Sequence, residues 1–136
     1  MTFHKYGTKP ENGEIFVFGS NLRGAHGGGA ARAAFEHFGA QMGVAVGMSG
    51  NSYAIPTKDR HIMTLPLNLI KDYVDQFVEF SRNNPELEFF VTAVGCGLAG
   101  LKHEQMAPMF SGCGNNCSFP EEWWEYINDT DAQRVD

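Results

Sequence analysis

Apolar and polar positions along the chain follow two alternating periods: a short strand-like run, then a helical stripe, and the alternation repeats. Phe16 to Phe18 is an apolar run of strand length, and Ala30, Ala34 and Phe38, with Ala31 and Phe35 beside them, fall on one helical stripe. Val44 to Val46 and Tyr53 to Ile55 predict short strands separated by the turn-prone Gly47-Met48-Ser49-Gly50-Asn51. Leu67, Ile70, Val74, Phe77 and Val78 repeat at helical spacing, with Pro66 suited to a first-turn position and Asn83-Asn84-Pro85 as the stop. Glu88 to Val94 reads as a buried strand ending in a second glycine turn, Gly95 to Gly100. Lys102 to Phe110 predicts a helix in which Pro108 lies near the first turn or bends it, since an interior proline costs about 3 kcal/mol. Cys117 to Phe119 predicts a last strand, Pro120 opens a short helix through EEWWEYI, and Asn128 to Asp136 reads as a frayed acidic tail.

Strands alternating with helices imply an α/β fold, a mostly parallel sheet covered on both faces, which binds ligands where loops leave the carboxyl ends of strands. A chain of 136 residues, 43% hydrophobic, can bury one sizeable core, so one domain is expected, with its core over about residues 13–127 and the acidic tail at 128–136. No internal repeat or linker interrupts it.

The stretch IFVFGSNLRGAHGGGAARAAFEHF carries the chemistry: an apolar strand enters a glycine-crowded turn that passes directly into an alanine-rich helix. Gly24, Gly27, Gly28 and Gly29 lack the Cβ that would keep the backbone from closing on a ligand. The unpaired N–H groups and positive dipole end of the following helix satisfy an anion without any lysine. A nucleotide or sugar phosphate is the natural guest. If the strands before the two glycine turns are neighbours, Gly27 to Gly29 and Gly95 to Gly97 line one cleft from two sides.

Charge narrows the partners. The net charge of -6 argues against broad capture of DNA or RNA, which needs basic surface to displace counterions. No apolar run approaches the roughly 20 residues of a membrane span, and the opening MTFHKYGTKPENG lacks a signal-peptide core. The expected setting is the cytoplasm, where three cysteines, Cys96, Cys113 and Cys117, stay reduced.

The pairing of GSNLRGAHGGGAARAAFEHFG with VTAVGCGLAGLKHEQMAPMF resembles macrodomains, ADP-ribose-binding modules of three-layer α/β/α fold. Tyr53-Ala54-Ile55-Pro56-Thr57-Lys58, then the helix from Leu67, then GCG, is similar to the lysine-bearing branch: enzymes that strip ADP-ribose from glutamate, and antitoxins that strip it from thymidine in DNA. The resemblance covers about residues 15–119 and extends to short proteins carried by bacteria and their phages. It implies Ser20 and Asn21 near the distal ribose, and Gly27, Gly28 and Gly29 as the close-approach turn, with Ala30 a further ligand-binding residue. Gly95, Cys96, Gly97 and Leu98 become the phosphate- and ribose-side loop, and Lys58 the catalytic candidate. Lys58 would act as an unprotonated amine attacking the anomeric carbon of the opened ribose, or as a cation stabilising the departing group. The chain departs from the pattern at one place: glutamate-directed members carry an aspartate just after GCGL, and here Ala99 stands there. DNA as substrate fits poorly with so acidic a chain. The aspartate with which other branches catch adenine has no counterpart that the sequence identifies.

Each candidate has a plain alternative. Lys58 sits beside Asp59 and Arg60 and reads equally as a solvated charged turn; Asn21 can simply bond its own backbone. His26, inside the glycine turn, is a candidate phosphate contact, whereas His4, His37 and His61 read as surface or structural. Cys96 lacks a clear base partner, and Cys113 and Cys117 with His103 lack a second ligand pair, so neither a catalytic cysteine nor a metal is expected, and no cofactor. Trp123, Trp124 and Tyr126 read as packing, with one aromatic free to stack on adenine. Three functions follow: an ADP-ribosyl hydrolase using Lys58; a non-catalytic binder that sequesters ADP-ribose-derived nucleotides, cyclic signalling forms included; or an interaction protein that keeps the fold without its ligand. A dinucleotide oxidoreductase is disfavoured, because the turn lacks the GxGxxG order.

Overall fold

The computed structural model describes residues 1–127, so the acidic tail expected at 128–136 lies outside the described residues. Six strands form one sheet: β1 (Thr2–His4), β2 (Ile15–Asn21), β3 (Gly47–Ser49), β4 (Ser52–Lys58), β5 (Phe89–Val91) and β6 (Cys117–Pro120). Their order is β1-β6-β5-β2-β4-β3; all neighbours run parallel except the edge strand β3, antiparallel to β4. The helices are α1 (Gly29–His37), α2 (Leu67–Asn83) and the short α3 (His103–Met106).

Period-2 alternation sorts the strand residues onto two faces. Phe16, Phe18, Ala54 and Phe90 pack with Ala31 and Ala34 of α1. Ile15, Val17, Tyr53, Ile55, Phe89 and Val91 face the other way, into a larger core with Ile70, Val74 and Phe77 of α2, Phe110 and Trp123. The architecture is therefore three layers, helix, sheet and helix, with a mostly parallel sheet. In α2 most of the sequence pattern holds: Ile70, Val74 and Phe77 are fully buried, whereas Leu67 is 38% exposed; Pro66 is the N-cap rather than a first-turn residue, and Asn84 is the C-cap, whose side-chain amide donates to Phe80 O at 2.8 Å.

The strand expected over Glu88 to Val94 is shorter, Phe89–Val91, and three further expectations shift. The strand predicted at Val44 to Val46 lies instead at Gly47–Ser49, because Ala45 O is taken by the Ser20 hydroxyl at 2.6 Å while Met48 pairs with Tyr53. Phe35 is 45% exposed, so the buried stripe of α1 is Ala31 and Ala34, flanked by Ala30, Ala33 and Phe38. The helix expected over Lys102 to Phe110 is α-helical only to Met106 and continues as a 3-10 turn, Ala107–Phe110, with Pro108 at its start, where no intrahelical N–H is needed. The polar strand β1 went unpredicted; it pairs with β6 through Phe3↔Phe119.

The connections set the position of the site. After β2 the chain passes through α1 toward β4, on one side, and after the adjacent β5 it passes through α3 to β6, on the other. Neighbouring strands whose connections diverge leave a crevice outside their carboxyl ends.

Candidate nucleotide cleft

That crevice is a cleft of about 580 Å³, within the roughly 300–1,000 Å³ of small-molecule sites. Gly27, Gly28 and Gly29 line one side, and Gly95, Gly97 and Leu98 the other; Ser20, Asn21, Ala30 and Lys58 line it as well. The two glycine turns, far apart in sequence, thus meet across one opening. Gly19 sits between them, close enough that a Cβ there would come within 3.4 Å of Gly95 N.

The first wall is the start of α1. Its N-cap is Gly28, extended at φ -153 and without a side-chain capping bond, and the helix's first backbone bond, from Arg32 N to Gly28 O at 3.2 Å, leaves the earlier N–H groups without intrahelical acceptors. An uncapped helix start facing a cleft is an anion seat. The second wall is a tight turn: Cys96 N donates to Ala93 O at 3.0 Å, Gly100 N to Gly97 O at 3.0 Å, and Leu101 N to Gly95 O at 2.8 Å. Thr92 fixes its root, donating from both its amide and its hydroxyl to Val17 O at 3.0 and 2.7 Å.

Lys58 ends β4 and its backbone is held on both sides: its carbonyl accepts Leu22 N at 2.9 Å, and it bridges to Thr64. Among the described residues it makes no ion pair. Arg23 is the other cation lining the cleft, and no acidic side chain lines it, so the cleft of this acidic protein is locally positive. Arg23, Thr57, Ile62 and Ala99 are lining residues that the sequence reading did not assign; Arg23 stands within the motif GSNLRG, the one signal that pointed to it.

Three expected contacts have other engagements. His26 does not line the cleft. Its ring is 1% exposed, edge-on to Phe18 with centroids 5.5 Å apart, and Nε2 donates to Gln41 O at 2.9 Å, leaving Nδ1 an acceptor with no partner among the described residues. Asn21 lines the cleft, yet its side chain closes the turn, donating to Ala25 O at 2.8 Å and accepting Ala25 N at 3.1 Å. Cys96 faces a neighbouring hollow, and burial pushes its thiol up to about 11, which keeps it protonated at neutral pH.

That neighbouring hollow, about 430 Å³, shares Gly97 with the cleft and lies toward β1 and β6. His4, Tyr6, Phe90, Thr92 and His103 are among its lining residues. His4 stacks on Phe90 at 3.9 Å between centroids, and burial holds its pKa below the usual histidine value, partly offset by the Glu122 carboxylate. His103 Nδ1 accepts the Trp123 indole N–H at 2.9 Å, which leaves its Nε2 as the donor position. Trp123 itself is fully buried packing, against Phe110 and Phe119, whereas Trp124 is 55% exposed.

Among the described residues no helix is long and apolar enough to cross a membrane. No protein-family profile matches the chain, and no curated protein matches it. Solved structures do share its fold. An alphavirus P23pro-zbd chain superposes with TM-score 0.66 at 13% identity, over 99% of this chain and 24% of that one. Thermosipho africanus DarTG in complex with ADP-ribose superposes with TM-score 0.57 at 17% identity, over 82% of this chain and 39% of that one. A Bacteroides thetaiotaomicron protein of unknown function gives TM-score 0.55 at 12% identity, over 82% of this chain and 90% of that one. The chain thus spans about a quarter of the alphavirus protein and about two-fifths of DarTG. Sheet order, layers and superpositions agree on a macrodomain-like α/β/α fold.

Proposed function

We propose that the protein binds an ADP-ribose-type nucleotide in this cleft. The observation that carries the reading is the meeting of an uncapped helix start at residues 28–30 and the glycine turn at 95–98 across one locally positive opening. A diphosphate between those two sets of backbone N–H groups needs no basic side chain beyond Arg23 and Lys58. The nucleotide then lies along the carboxyl ends of the strands, with its distal ribose at the Lys58 end and its base in the neighbouring hollow lined by His4, Tyr6 and Thr92. The superposition on a structure that holds ADP-ribose supports the choice of ligand.

Hydrolysis of an ADP-ribosyl bond is the second half of the proposal, and what favours it is a lysine lining a cleft that has no acidic side chain among its lining residues. Water would replace the group on the anomeric carbon, leaving ADP-ribose and the released acceptor, with Lys58 as nucleophile or as the cation beside the departing atom. Ala99, where glutamate-directed macrodomains carry an aspartate, counsels an acceptor that leaves without that acid. Calorimetry with ADP-ribose tests binding; no heat at millimolar ligand would sink it. Lys58→Ala tests the chemistry: turnover falls at least about a hundredfold while ligand-induced thermal stabilisation persists. An intact parent without turnover on any ADP-ribosylated substrate assigns the protein to sequestration of ADP-ribose-derived nucleotides.

A further inference from the structure

Three parallel strands end side by side at the cleft, in the order β5, β2, β4. Gly19 of the middle strand shows how closely the ends of the outer two flank it: a Cβ there would lie 3.4 Å from both Gly95 N and Thr57 Oγ1. The loops that leave the outer strands meet through one bond. Thr64, in the loop after β4, donates its hydroxyl to Ala99 O, in the turn after β5, at 2.8 Å. β4 and β5 share no ladder, so this bond links the segment that carries Lys58 to the second glycine turn across the carboxyl end of β2.

The two ends of the bond are built differently. The Thr64 side is rigid: Thr64 bridges back to Lys58, Asp59 N donates to Met63 O at 2.7 Å, and Leu65 N donates to Thr57 O at 2.8 Å. Within the loop the Asp59 carboxylate accepts His61 N at 2.8 Å and Met63 N at 3.0 Å. Ile62 takes a positive φ of 64°, an outlier for a β-branched residue that persists only where the surroundings over-determine it. The Ala99 side has no such frame. Among the described residues the other hydrogen bonds of residues 95–100 stay within the stretch 93–101, from Cys96 N to Ala93 O, Cys96 Sγ to Val94 O, Gly100 N to Gly97 O and Leu101 N to Gly95 O. A turn rich in glycine has the most backbone freedom to lose, so one outside tie decides where it sits. That tie is exposed, and water competes for both its partners, so it adds little to folding; what it fixes is the position of the turn relative to Lys58.

We propose that Thr64 is a positioning residue for the nucleotide, its hydroxyl holding the second glycine turn in register with Lys58 so that the turn's N–H groups and the lysine reach one ligand together. The inference rests on the ADP-ribose reading. Its test is calorimetry with ADP-ribose, melting curves and amide hydrogen exchange on the full chain, for the parent, Thr64→Val and Thr64→Ser. Valine keeps the shape and removes the donor, whereas serine keeps the donor. Thr64→Val should bind ADP-ribose at least about fivefold more weakly, the scale of one neutral hydrogen bond. In the ligand-free variant the bonded amides of Gly100 and Leu101 should exchange at least about threefold faster, with the melting temperature within about 2 °C of the parent. Thr64→Ser should return affinity and exchange to within about twofold of the parent. Unchanged affinity or exchange in Thr64→Val, equal losses in Thr64→Ser, or a loss of affinity accompanied by more than about 5 °C in melting temperature overturns the positioning role. A parent that binds no ADP-ribose while the turn's exchange still follows the hydroxyl overturns the nucleotide reading alone; if exchange does not follow it either, both fall.

Discussion

Glycines crowd two regions of this molecule for opposite reasons. Behind the first turn they serve contact between backbones: Gly24, expected on the ligand side with Gly27 to Gly29, does not line the cleft, and a Cβ on it would lie 2.6 Å from the carbonyl carbon of Gly43, while one on Gly50 would lie 2.6 Å from Gly39 O. At the cleft, Gly27 and Gly97 would each place a Cβ with nothing within 4 Å. The first pair is needed to fold the chain. The second pair faces open space, so its lack of side chains has meaning only if something else comes to fill that space. Glycine content alone cannot separate structure from site; what a missing Cβ would meet, taken with whether the position lines the cleft, does.

The sharpest way to break this contrast is Gly24→Ala, which must push apart the segments joined by the 2.9 Å bond from Gly43 N to Gly24 O and also force a left-handed alanine. Destabilisation of roughly 2–4 kcal/mol is expected in denaturant unfolding, with ADP-ribose affinity of the folded fraction unchanged. Gly97→Ala should do the reverse. Its stability stays within about 0.5 kcal/mol of the parent, whereas ADP-ribose affinity falls roughly tenfold or more, about 1.4 kcal/mol, by calorimetry. Equal loss of stability in both variants, or unchanged affinity in Gly97→Ala, would erase the distinction.

The smallest effect concerns the hollow beside the cleft. Burial against Phe90 keeps His4 neutral in the folded state, its pKa lowered from 6.5, so the unfolded chain takes up the proton first as pH falls. The associated stability is whole above pH 6.5 and is lost as pH drops toward the folded value. Melting between about pH 7.5 and 5.5 should therefore decline by a degree or so less in His4→Gln than in the parent. An identical decline would show that His4 titrates alike in both states.

Much of this was legible in the chain. The helix from Leu67 and the strand at Phe16 to Phe18 follow from period and run length, because their apolar sides face a core whichever neighbours they meet. Both glycine turns stand out for the same local reason. What stayed hidden depends on contacts distant in sequence: β1 is three residues on a sheet edge, identified only by its partner β6, and β3 is displaced by a hydroxyl donated from Ser20. At the cleft, sequence named the turns and Lys58 but assigned His26 to the ligand side, since no local pattern shows that Gln41 O waits behind it. Ile62 was invisible for a similar reason; a positive φ is written in the loop's bonds to Asp59, not in the identity of an isoleucine.

The most direct measurement is a crystal structure of the protein soaked with ADP-ribose. The account predicts the diphosphate between residues 27–29 and 95–97, accepting bonds from their main-chain N–H groups, with the distal ribose beside Lys58 and Ile62. An empty cleft at saturating ligand, or the nucleotide bound away from both turns, would contradict it.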